Sequence, residues 1–398
     1  MRGLMGCCGR AGSFIARGGV RAVAVIASSV VLSGVVLGLS ADASGPASVP
    51  RLDRVFVIMM ENTSYSDLLN PANSNTAFIQ SLAQTYGLAT HYFGVTHPSL
   101  PNYVAATSGS NWGSNSDDLA QADQGFFNHR SLFDELNAVG VSWKAYMESM
   151  PSVGYTGDFG ACTASTGPDP TCTGLTSTGK SDTGTALYVR RHNPPMLFPD
   201  IFSDPQQAAS VVPLTQLTTD LNSGRVPRFV WISPNICNDM HGGAPQCPFA
   251  NAPNDANQQA LYQDGDSFLN TWVTAIMQSR AWTRHSAIFI TWDEGGFEDA
   301  PPFGPTDISG CCDSPVLPAT PANPATAGGG DLAGGTVYGG GHVPMIVIAD
   351  DGARGVADAS PTNHYSLLQT IELSWRLPLL GNASDTAAVQ SLAPLLHH

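Results

Sequence analysis

Four short apolar runs constrain this chain more than any other feature. Val55–Met60, Phe229–Ile232, Ala287–Thr291 and Val343–Ala349 are each too short for a helix and rich in branched residues. Such a run suits a strand buried on both faces, as in a parallel sheet covered by helices. Val141–Tyr146 is a weaker fifth. Between the runs, helical periodicity marks residues 75–86, 130–139, 257–280 and 363–375. Strands alternating with helices predict an α/β fold: a mostly parallel sheet with helices on both faces. Two stretches, 151–185 and 300–341, are loaded with Gly, Pro, Ser and Thr. They read as long loop insertions in a single domain spanning 44–398.

Ahead of that domain, Arg2, Arg10, Arg17 and Arg21 precede the apolar run Ala22–Leu39 and then Ala41-Asp42-Ala43. Basic region, apolar region and small-residue cleavage site are the order of a secretory signal, so residues 1–43 are expected to be removed on export. A retained membrane anchor is the rival, because the apolar run is nearly long enough to span. The expected location is secreted or extracytoplasmic, with cell-wall association as one form of it. Cysteine usage agrees with an oxidising compartment. Cys162–Cys172 and Cys237–Cys247 are the simplest pairs, and adjacent Cys311 and Cys312 can pair only with strain. The spacings do not match a zinc knuckle. Composition excludes two classes. A chain 42% hydrophobic and 12% charged is not a disordered one, and 17 Lys+Arg against 32 Asp+Glu leaves no basic groove for nucleic acid.

Open α/β sheets place their chemistry just beyond the carboxyl ends of their strands. Glu61-Asn62 ends the first run, Asp293-Glu294 ends the third of the four strong runs, and Asn238-Asp239-Met240-His241 follows Phe229–Ile232 within ten residues. Oxygen and nitrogen ligands converging at one sheet edge make a divalent-metal site, whereas single loop-end carboxylates are ordinarily just solvated. Next, Thr96-His97-Pro98-Ser99-Leu100-Pro101-Asn102-Tyr103 opens a helix, with Ser99 as N-cap and Pro101 in the first turn. Ser99 is either a capping serine or a hydroxyl poised for attack where free N–H groups and positive dipole favour phosphate, with Asn102 as a phosphoryl donor. His364 starts the last helix, and Gly339-Gly340-Gly341-His342 permits close ligand approach or forms a lid.

Five of these segments, in this order, resemble the bacterial phosphoesterase family of acid phosphatases and secreted phospholipases C. They are Val57–Tyr65 with Glu61-Asn62, His97–Tyr103, Thr291–Gly296, Val343–Ile348 and His364–Leu368. His97–Tyr103 is most similar to the secreted acid phosphatase branch, which includes a mycobacterial phosphatidylinositol 3-phosphate phosphatase. The resemblance implies an alkaline-phosphatase-like core. It also implies one or two divalent metal ions of unknown identity, and metal positions at Glu61, Asn62, Asp293, Glu294 and Asp239. Ser99 then falls at the nucleophile position, Asn102 at the phosphoryl contact, and His241 and His364 near a second metal or as proton donors. Thr63 stands where the family usually has Arg. Tyr103 stands where a sulfatase needs Arg. The chain stops soon after the last motif, which favours the phosphatase branch over phospholipase C. The expected reaction is hydrolysis of phosphate monoesters through a phosphoserine. Small phosphate esters come first as substrates and phosphoinositide head groups second, since a net charge of −15 disfavours anionic surfaces. No integral membrane partner is implied. A phosphodiesterase and a non-catalytic exported binding protein are the alternatives.

Overall fold

The computed structural model describes residues 48–159, 186–249, 255–296, 307–316, 336–352 and 354–397. The expected targeting segment 1–43, the Cys162–Cys172 pair and most of both loop insertions lie outside them.

The described strands are β1 (Arg54–Met60), β2 (Gly87–Phe93), β3 (Trp143–Met147), β4 (Val211–Pro213), β5 (Phe229–Ser233), β6 (Ser286–Trp292), β7 (His342–Ala349), β8 (Val356–Asp358) and β9 (Thr362–Asn363). They form one sheet in the order β4-β3-β5-β1-β6-β7-β2-β8, with β9 also on β2. All five expected strands are present. β7 is the exception to parallel pairing, antiparallel to both β6 and β2. Phe93 pairs with His342, so β7 begins at the edge where β2 and β6 end.

The helices used below are α1 (Ala77–Thr85), α2 (Ser99–Ser108), α3 (Leu132–Ala138), α4 (Thr215–Ser223), α5 (Ala256–Gln278) and α6 (His364–Trp375). α1 packs on α5, and α2 packs on α6 and α3. Every residue of β5 and β6 is buried, so helices cover both faces. α2 is itself buried at all ten positions. Its sequence carries mostly small side chains after Tyr103, which lets it sit close beneath its neighbours. Gly109 ends it in the left-handed region at φ +78°, its N–H returning to Ala105 O.

Cys237 and Cys247 are joined, as their spacing predicts, with Cα atoms 5.4 Å apart. Cys311 and Cys312 are joined as well, despite their adjacency. The glycines before β7 pack against neighbouring main chain. Gly340 N–H donates to Gly94 O, and Gly295 N–H donates to Gly340 O. A Cβ on Gly340 would lie 2.6 Å from Thr96 O. These glycines let three backbone segments touch.

Candidate active site

β1 and β6 run side by side, and their ends deliver the acids together. Glu61 N–H donates to Asp239 O at 2.8 Å, and Asp293 N–H donates to Met60 O at 3.0 Å. Asn62 takes a left-handed conformation, φ +41°, which asparagine tolerates better than most residues. Its N–H donates to Asp293 Oδ1 at 3.2 Å.

Ser99 is the first residue of α2, with Pro98 at the cap position, which corrects the capping expectation. Its Oγ does not cap the helix. It donates to Glu61 Oε2 at 2.9 Å and lies 3.4 Å from Glu294 Oε1. Tyr103, one turn further on, donates to Glu61 Oε1 at 2.6 Å. Strand end and helix start are thereby locked together through one carboxylate.

Asn102 holds the loop ahead of Ser99. Its Oδ1 accepts from Val95 N and Thr96 N, and its Nδ2 donates to Thr96 O at 2.6 Å and Pro98 O at 3.2 Å. Nδ2 also lies 3.5 Å from Glu294 Oε2, so Asn102 ties the loop ahead of Ser99 to the acid cluster. His364 is engaged at both nitrogens too, by Tyr92 OH at 3.0 Å and Asp293 O at 2.6 Å. Burial lowers its pKa to about 4. Its ring contact at Asp293 O supports the backbone that carries the acid.

Asp239 and His241 meet the cluster through a residue the sequence did not single out. His192 Nε2 lies 3.1 Å from Glu61 Oε1, and its Nδ1 lies 3.1 Å from Asp239 Oδ2. Glu61, His192 and His241 bring ligand atoms within 4.8 Å of one another. His97 was quoted in a motif but given no duty. Its Nδ1 lies 2.6 Å from Glu294 Oε2, and its Nε2 lies 3.0 Å from Asp307 O. The carbonyl needs Nε2 protonated, so the short contact requires a further proton shared between His97 and Glu294.

Glu61, Asp239, Asp293 and Glu294 are all 0% exposed. Burial raises the pKa of each well above the carboxylate range. Neighbouring carboxylates add to it: Asp293 and then Asp239 at Glu61, and Glu294 at Asp293. His192 is pushed the other way, by burial first and then by Arg191 and His241.

The family model for phosphoesterases matches residues 68–378. The chain belongs to the Phosphoesterase family. It is 26% identical over 329 residues to the phosphate-repressible acid phosphatase of Penicillium chrysogenum, covering 83% of this chain and 60% of that one. It is 27% identical over 276 residues to the phosphatidylinositol-3-phosphatase of Mycobacterium tuberculosis, covering 68% of this chain and 73% of that one. The chain spans 60% of the acid phosphatase of Aspergillus niger as well, and so about three fifths of the length of such relatives. Among solved structures, an alkaline phosphatase superfamily protein from Vibrio parahaemolyticus aligns at TM-score 0.46 and 12% identity, over 82% of this chain and 67% of that one. Murine ectonucleotide pyrophosphatase/phosphodiesterase 5 aligns at TM-score 0.47 and 11% identity, over 82% and 96%.

The residues present at this site fit a divalent cation. Asn62 Oδ1 and Asp293 Oδ2 are buried with no hydrogen-bond partner. Dehydrated oxygens of this kind, beside three further buried carboxylates, are the hard donor set such a cation takes.

Proposed function

We propose that the chain hydrolyses phosphate monoesters, in the manner of an acid phosphatase, with Ser99 as nucleophile. The observation that carries this reading is the buried Ser99 hydroxyl at the start of α2, donating at 2.9 Å to Glu61 among four buried acids. Family membership and the activities named for the relatives support it. Glu61, Asn62, Asp293 and Glu294 would hold a divalent cation, with His192 offering a further ligand atom beside Glu61. Such a cation supplies the positive charge these acids lack and favours the ionised serine.

The chain's own groups do the rest. Tyr103 donates to one oxygen of Glu61 and Ser99 to the other, so the serine proton passes to Glu61, with Glu294 Oε1 at 3.4 Å as the second acceptor. Asn102 holds the preceding loop, and His364 holds the Asp293 backbone. Ser99 Oγ attacks phosphorus in line and displaces the alcohol, which takes its proton from water. A second water opens the phosphoserine and releases phosphate. Small phosphate esters are the first substrate class and phosphoinositide head groups the second. We read the protein as exported, supported by the Cys237–Cys247 bridge. Among the described residues no helix is long and apolar enough to cross a membrane.

The test is turnover of p-nitrophenyl phosphate, bis-p-nitrophenyl phosphate and p-nitrophenylphosphorylcholine, with and without chelator. Preference for the monoester and loss with chelator are expected. No turnover of any ester by folded protein rejects the reading in favour of a binding protein. Ser99→Ala is expected to cut monoester turnover by at least about a thousandfold with an unchanged melting temperature. Near-normal turnover in that variant removes Ser99 from the nucleophile role.

A further inference from the structure

One carboxylate beside Ser99 lies outside the acid cluster. Asp117 Oδ1 accepts from Leu100 N, in the first turn of α2, at 2.9 Å. Its Oδ2 lies 3.9 Å from Arg191 Nε. Arg191 is only 4% exposed, while the Asp117 side chain keeps 16%. The guanidinium is held from a second side, where Arg191 Nη2 lies 3.2 Å from His241 Nε2. His241 Nδ1 lies 2.7 Å from Gly242 O, which needs the hydrogen there. Nε2 is therefore the lone-pair side, and the guanidinium donates to it.

Arg191 also neighbours His192, whose ring touches Glu61 and through it the Ser99 hydroxyl. A phosphoryl group arriving at Ser99 enters a space lined by buried acids and needs donors that are not themselves anionic. The donors already gathered there are the Leu100 N–H and a guanidinium fixed by its own contacts. In the present structure the Leu100 N–H donates to Asp117, and the guanidinium lies at ion-pair distance from the same carboxylate, 3.9 Å away. Arginine's planar fork suits phosphate and carboxylate oxygens alike.

We infer that Arg191 and the Leu100 N–H form the phosphoryl-oxygen pocket of this site, and that the Asp117 carboxylate is a resident stand-in which the substrate displaces. The inference rests on the phosphoesterase reading above and deepens it. Arg191 contacts the phosphoryl group, and Asp117 sets how tightly anions are held by competing for the same donors.

The experiment titrates inorganic phosphate into the full-length protein by calorimetry, for wild type, Arg191→Ala, Arg191→Lys and Asp117→Asn, with metal content and melting temperature measured for each. Arg191→Ala is expected to weaken phosphate by roughly tenfold or more at unchanged metal content. Arg191→Lys keeps the charge and loses the fork, so it falls between, and it serves where the alanine variant does not fold. Asp117→Asn is expected to tighten phosphate several-fold. Unchanged affinity in the Arg191 variants overturns the pocket. Weakening in Asp117→Asn to the level of Arg191→Ala makes Asp117 a strut and overturns the competition. Absence of phosphate binding in both wild type and Asp117→Asn overturns the whole inference. Ester turnover is scored separately, so an inactive wild type that binds phosphate with this pattern rejects the catalytic reading and keeps the pocket.

Discussion

Val55 to Met60 in β1 and Glu61 directly after them are equally buried and chemically opposite. The same step occurs from Trp292 to Asp293 at the end of β6. In the body of the sheet, removal from water stabilises by about 25 cal/mol per Å² of apolar surface. At the carboxyl edge the same removal opposes every ionised form. The body therefore carries the stability that offsets the strain of crowding acids at the edge. The edge gathers acids at a cost in stability that the neighbouring body of the sheet offsets.

That contrast can be broken by substitution. Asp293→Asn is expected to lower monoester turnover by about a hundredfold or more, while melting in chelator stays level or rises because one dehydrated acid is gone. A large fall in melting temperature makes the edge a structural element after all. Phe289→Ala, in the middle of β6, is expected to show the reverse: a loss of roughly 3–5 kcal/mol in urea unfolding with kcat per folded molecule retained. Gly340→Ala joins the two regions, since its Cβ meets Thr96 O at 2.6 Å and Gly94 C at 2.7 Å. Unfolding and turnover assays are expected to fall together there, with about 1–3 kcal/mol lost. Independence of the two readouts separates the glycine contact from the site.

The smallest effect sharpens the contrast with an acid remote from catalysis. Glu372 in α6 is buried, and Leu380 N–H donates to its Oε1 at 3.1 Å. Burial raises its pKa to about 9. The folded value lies above the unfolded one, so its contribution is complete below pH ~4.5 and is lost as pH rises toward 9. Glu372→Gln is expected to raise the melting temperature at pH 8 by a few degrees and leave it unchanged at pH 4.5. An equal shift at both pH values rejects proton linkage.

What the sequence disclosed follows from what burial does to composition. β1, β5, β6 and β7 are buried along nearly their whole length, so they are apolar runs and could be read directly. β2 has the sequence Gly-Leu-Ala-Thr-His-Tyr-Phe, with His91 exposed, and carries no such run. β4, β8 and β9 are too short to leave a pattern. Nor does an apolar run encode its direction, so the reversal of β7 was invisible. In the site, Glu61, Ser99 and Asp293 were legible because each sits directly at a strand end or helix start. His192 and Arg191 come from a single 3-10 turn after a Gly-rich insertion. Their only signal was Arg-Arg-His in a chain with few charges, which becomes meaningful once the turn is seen to be buried.

The glycine contacts have one more consequence. Gly94 leads into the segment bearing His97 and Ser99, Gly295 follows Asp293 and Glu294, and Gly340 is hydrogen-bonded to both. Main chain abuts main chain there, so no side chain is available to be enlarged, trimmed or recoloured by mutation. Variation beside the candidate site therefore has to enter through the residues around this junction, because the junction itself offers selection nothing to vary.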